Sequence, residues 1–220
     1  MRLLRSVAAL CLLMQAGAIC SQAAEVIDRI VASVNREVIL ESELRFAMAY
    51  QCVVNQTSCH FDDATERKAA LDRLIDQRLL EQQMQQEQVP AGAGKTDQVI
   101  ADLRKQISGA GKAISDAAWA ELLNTNGLTE QELAQEASRE SRLLRFVDAR
   151  FRANLRIDEA TVENYYRDVL VNKLSAAGAE VPKLAEVSGR IREVLAQLEI
   201  DRELAAWLKT LREQSAVRVR

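Results

Sequence analysis

Histidine is nearly absent from this chain: one residue, His60, in 220. Most general acid–base chemistry near neutral pH goes with it. His60 follows Cys59 in a predicted loop, and no nucleophile-elbow motif accompanies it, which excludes Ser–His–Asp chemistry. Glycine is scarce at eight residues, and Gly92, Gly94, Gly109 and Gly111 follow no predicted strand. They read as helix breaks and not as a phosphate-cradling loop. Aromatic residues make up 4% of the chain, so the core must rest on Leu, Ile, Val and Ala, an all-helical signature. A basic surplus is missing as well, and this argues against a nucleic-acid partner. Acidic pairs such as Glu130 with Glu132, and Asp62 with Asp63, stand at helix starts. The helix dipole and the free N–H groups there explain them without catalysis.

What is present begins with an export signal. Arg2 and Arg5 give a basic start, and Ser6 to Ile19 is an uncharged apolar run of 14 residues. Spanning a bilayer takes about 20. Small residues at Ser21 and Ala23 place a cut after Ala23, with Ala24 the alternative. Residues 1–23 are therefore expected to be removed, leaving a soluble, periplasmic chain with no stable membrane insertion. Without Arg2 and Arg5 the balance is 27 basic to 32 acidic residues, a net charge of −5.

Cys52 and Cys59 remain in CVVNQTSC. In an oxidising compartment such a pair forms a disulfide. The alternative is a metal site using Cys52, Cys59 and His60, but the spacing matches no zinc or haem signature and a fourth ligand is not evident. No cofactor is expected.

The pattern along the chain predicts mainly α structure with one small sheet. Val26, Ile30, Ala32 and Val34 read as a half-buried strand, Asn35-Arg36-Glu37 as a turn, and Val38-Ile39-Leu40 as a return strand. Ser42 is expected to cap a helix carrying Leu44, Phe46, Ala47 and Met48, with a loop from Tyr50 to Asp62. Asp63 with Glu66 predicts a capping box for a helix whose stripe is Leu71, Leu74, Ile75, Leu79 and Met84. Pro90 and Gly92 to Gly94 end it. Thr96 opens the next helix, broken at Ser108 to Gly111; Ser115 caps a short one, stopped by Asn126-Gly127. Thr129 with Glu132 is a second capping box, for a helix with Leu133, Ala137, Leu144, Val147 and Phe151 on one face. Ile157, Asp158 and Val162 fit a hydrophobic staple, and Ser175 to Glu180 reads as a linker. Pro182 precedes a last helix whose apolar spacing slips near Asp201, predicting a bend or a change of face. Val217-Arg218-Val219-Arg220 then reads as a lone strand. Its unpaired backbone needs an edge, and the Val26–Leu40 ribbon is the candidate partner. Leu122, Leu123, Leu143, Phe146, Tyr165 and Tyr166 fall outside the main stripes and are candidates for a groove holding apolar segments of other chains.

Four segments carry a resemblance. DRIVASVNREVILESEL resembles the opening of SurA-type periplasmic chaperones, and ALDRLIDQRLLEQQMQQ resembles the second helix of their N-terminal domain. NLRIDEATVENYYRDV is similar to the helix that leads into a parvulin prolyl isomerase domain in that family. IREVLAQLEIDRELAAWLKTLREQSAVRVR resembles its C-terminal helix and strand. Between the last two lie only Leu170 to Lys183, too few for a parvulin domain and without His or Cys. The resemblance thus implies a chaperone core without isomerase activity. Its expected parts are 24–155 as an N-terminal helical unit, 156–182 as a linker helix and linker, and 183–220 as a C-terminal helix and strand that return to complete the unit. It implies an ATP-independent holdase whose partners are unfolded polypeptides, outer-membrane proteins among them. The rival readings are a degenerate or accessory member of the isomerase family, and a helical envelope assembly module.

Overall fold

The computed structural model describes residues 28–89, 96–108 and 114–220. The signal segment, Val26, Pro90, Gly92 to Gly94 and Gly109 to Gly111 lie outside them. Strand β1 (Ile30–Val34) turns back into β2 (Glu37–Leu40). Asn35 supplies the turn with a left-handed φ of 57°, a conformation Asn tolerates better than most residues. Helices follow: α1 (Glu41–Asn55), α2 (Ala64–Gln86), α3 (Thr96–Ser108), α4 (Asp116–Asn126) and α5 (Glu130–Arg152). Then come α6 (Glu159–Tyr165), a π-helical stretch (Tyr166–Val171), α7 (Asn172–Ala176) and α8 (Leu184–Gln214). The chain returns as β3 (Val217–Val219).

β3 lies antiparallel against β1, pairing Ala32 with Val219 and Val34 with Val217, so the sheet order is β2-β1-β3. The lone terminal strand has found the predicted edge. Asn35 tightens the junction twice: its backbone N–H donates to the Ala216 carbonyl (3.0 Å), and its side-chain oxygen accepts from the Ala216 N–H (2.9 Å).

Several local signals act as the sequence predicts. Ser115 accepts from the Ala118 N–H, and Gly127 ends α4 with φ 64°. Thr129 and Glu132 satisfy each other's backbone donors at the start of α5. Asp158 caps α6, while Val162 is fully buried with Ile157 packed on its cluster.

Others differ. Ser42 is not the cap of α1, which begins at Glu41. Its hydroxyl donates to the Asp28 carboxylate, and the Leu40 N–H is met by Glu43 instead. Tyr50 to Asn55 is helix and not loop, because Tyr50, Cys52 and Val53 turn inward and are buried. Asp63 does cap α2, accepting from Thr65 and Glu66 N–H groups, but Glu66 turns away to His60 Nδ1 (3.1 Å) and closes no box. Helix α7 carries on to Ala176, inside the predicted linker.

Among the described residues three apolar clusters hold the fold. The first joins the sheet, α1, α2, α5 and the end of α8, with Ile39, Ile75, Leu79 and Ile200 at its centre. The second joins α1, α3, α4 and α5 around Val53, Ile107, Trp119 and Leu133. Phe61 packs on both. Cys52 and Cys59 are bridged, Cα atoms 5.7 Å apart, and tie the loop carrying Phe61 to the end of α1. The third cluster is small: Val162 of α6 against Val187 and Ile191 of α8.

Helix α8 runs unbroken through the predicted slip near Asp201. What changes is the face. Ile191 is buried in the third cluster and Ile200 in the first. Nine residues at 3.6 per turn put those side chains roughly 180° apart.

Glu41 anchors the start of α1. Arg67 donates two hydrogen bonds to its carboxylate (2.9 and 2.8 Å), and Arg29 adds one at 3.2 Å. The Arg67 hydrogen bonds hold the Glu41 carboxyl below its ordinary range; burial opposes them and Arg29 assists. A carboxylate with a depressed folded-state pKa contributes stability above its unfolded pKa and loses it as pH falls through the lowered value. Glu41→Gln is therefore expected to cost about 1–2 kcal/mol at pH 7. Urea denaturation at successively lower pH should show that difference shrink as the Glu41 carboxylate is protonated.

A candidate polypeptide-binding surface

Helices α2 and α5 pack side by side, and Leu143 of α5 lies beneath their seam, 7% exposed. A recess opens on each flank. The first, about 340 Å³, is bounded by α1, α2 and α5, with Leu204 of α8 closing it. Ala47, Ala70, Leu74, Leu80, Leu143 and Val147 make its floor. Leu144 stands at its edge and is 63% exposed, the most solvent-exposed leucine among the described residues with large exposed apolar side chains. Its polar end is fixed by Tyr50, whose hydroxyl donates to Glu140 (2.9 Å), and by Gln77, which donates to Glu136 (3.2 Å). Burial, then the Glu140 charge, pushes the Tyr50 hydroxyl well above its ordinary pKa, so it remains a neutral donor.

The second recess is made of two adjoining cavities of about 280 and 500 Å³ that share Met84, Val89 and Arg142. Met84, Val89, Phe146 and Ala149 supply apolar lining; Arg139, Arg142, Arg145 and Arg150 line the α5 side. Arg139 is committed to Glu136 (2.6 Å) and Glu81 (3.5 Å). Burial raises the Glu81 pKa, against the pull of Arg139 and Arg78. Arg150 is committed to Glu87 (2.6 Å) and lies over the Trp207 ring, 4.2 Å from its centroid. Arg142 and Arg145 form no ion pair among the described residues.

The six sequence-level groove candidates do not share one surface. Leu122 and Leu123 belong to the second cluster. Tyr165 and Tyr166 pack on the third, Tyr166 donating to the Pro182 carbonyl (2.8 Å). Leu143 and Phe146 are both 7% exposed, and they touch the recesses as lining. Leu144, assigned by spacing to the buried stripe, is the residue that projects. The reason is that α5 serves two cores: Leu133 and Ala134 are buried near its start, Leu143, Phe146 and Val147 later, so its buried stripe swings around the axis. Sequence spacing assumes a single partner and misses that swing, and with it the arginine-lined recess.

Among the described residues no group of three or more His, Cys, Asp or Glu side chains could hold a metal ion. None of the described helices is long and apolar enough to cross a membrane. The surface thus offers apolar recesses with ionic edges. Comparison with known proteins gives one family: the model of a SurA-like N-terminal domain matches residues 3–147. No curated protein matches the chain.

Proposed function

Because this chain belongs to the SurA-like N-terminal domain family, we propose that it is an ATP-independent periplasmic holdase for unfolded exported polypeptides, outer-membrane proteins included. The observation that carries the reading is Leu144, exposed at the edge of an apolar recess floored by Leu74, Leu80, Leu143 and Val147. An exposed leucine beside buried ones lets an apolar client segment leave water without any rearrangement of the core. Shallow, open recesses suit a chaperone that must release what it binds, since release sets a ceiling on affinity. The net negative charge of the remaining surface keeps a loaded complex soluble.

The expected result is suppression of light scattering when an unfolded porin-like β-barrel protein is diluted from urea into a several-fold excess of this protein. Leu144→Asp should abolish most of that suppression while leaving the thermal melt unchanged, because the side chain contributes little to the core. Undiminished aggregation with the unsubstituted protein would remove the reading. Turnover of a proline tetrapeptide is expected to stay at the uncatalysed rate.

A second reading has its own observation. Val194 and Leu198, 43% and 54% exposed, continue the α8 stripe that buries Val187 and Ile191. Such a stripe fits an assembly surface, and sedimentation velocity over a range of concentrations separates a self-associating module from a monomeric holdase.

A further inference from the structure

We propose that the second recess selects its clients by charge: it takes an extended apolar segment carrying acidic side chains, and rejects one carrying basic side chains. The inference rests on the polypeptide-binding reading above and names what this half of the surface prefers. The dimensions argue for a chain segment and not a single side chain. Arg139 and Arg150 bound the recess along α5, and eleven residues of helix rise about 16 Å. That is the length of about five residues of extended chain. The two adjoining cavities share lining residues, so the recess runs on where a blind pocket would stop.

The charges argue for carboxylates. Arg139 and Arg150 are neutralised by Glu81, Glu136 and Glu87. Arg142 and Arg145 have no such partner among the described residues, yet they border a floor of Met84, Val89 and Phe146. Three residues apart on one helix, their side chains project from neighbouring positions about 5–6 Å apart. In an extended peptide, side chains two residues apart point the same way and are separated by about 6.6 Å. A segment of the form acid–apolar–acid can therefore meet both guanidinium groups. Arginine pairs with a carboxylate through two parallel hydrogen bonds, and does so best beside apolar surface that limits competing water. This preference runs against the net charge of the chain, which by itself repels acidic peptides.

The test uses fluorescence anisotropy with the mature chain and three labelled peptides of one apolar core, carrying paired Asp, paired Ser or paired Lys. Binding is expected to be at least tenfold tighter for the Asp peptide than for the Lys peptide, with Ser between them, and the gap should narrow as salt is raised. Arg142→Glu with Arg145→Glu should reverse the order; Arg142→Gln with Arg145→Gln should erase it. Unchanged circular dichroism melts for both variants show that the fold is intact. Equal binding of all three peptides, or an order unaffected by either double variant, overturns the charge selection and leaves the holdase reading standing. Failure of every peptide to bind overturns both.

Discussion

Deleting residues 216–220 is expected to lower stability by about 3–5 kcal/mol. The segment is short, but it is the third strand of the sheet. Its loss removes the Asn35–Ala216 and Arg220–Val31 backbone bonds, the Ala216 bond to the Asn35 side chain and the pairing of Ser33 with Arg218. Each net hydrogen bond contributes about 0.5–1.5 kcal/mol. Val217 also packs against the first cluster, so apolar contact goes with the bonds. The deletion leaves β1 with an open edge over Ala32 and Val34, both 0% exposed in the intact fold. An uncovered edge templates pairing with other chains, so the truncated protein should aggregate as well as unfold earlier. Urea denaturation followed by far-ultraviolet circular dichroism measures the first effect. A loss below about 1 kcal/mol would mean the strand is ornamental. Arg218→Ala with Arg220→Ala is the control, since it keeps the backbone and should change little.

The second large effect separates the two faces of α8. Ile200→Ala and Ile191→Ala each remove a side chain that is at most 3% exposed, and each is expected to cost about 2–4 kcal/mol where it acts. Where it acts differs. Ile200 sits with Ile75 and Leu79 in the cluster that carries the sheet, so its truncation should lower the global unfolding midpoint. Ile191 meets only Val162 and Val187 among buried residues, in a cluster at the far end of the helix. Its truncation should release α6 and the π-helical stretch locally. Amide hydrogen exchange reads the distinction: Ile191→Ala should accelerate exchange from Glu159 to Val171 and spare Ile30 to Val34. Uniform acceleration in both segments would show that the fold opens only as a unit.

Signals confined to a few neighbouring residues were legible in the sequence. Asn35 in the turn, the Thr129–Glu132 box, the Ser115 and Gly127 ends of α4 and the Ile157–Asp158–Val162 start of α6 all depend on chemistry within one turn of chain. The long-range pairing of β3 was legible for a different reason: a solitary strand has an obligatory need, and the chain offered one edge to meet it. The length of α1 was not, because Tyr50 and Val53 are helical through burial against helices far along the chain. Nor was the surface. Which of Leu143 and Leu144 projects depends on the direction from which α2 meets α5, and no periodicity within α5 encodes that.

The seam between β1 and β3 has one more implication, for the order in which the molecule can be made. Asn35 and Ala216, which bond across it, are 181 positions apart. A chain that emerges from its N-terminal side, at the ribosome or across a membrane, therefore holds its first hairpin without that neighbour until 181 further positions have followed. Closing so wide a span is slow compared with winding the helices between. The helical segments can gather early, and the pairing of β1 with β3 then closes the ribbon.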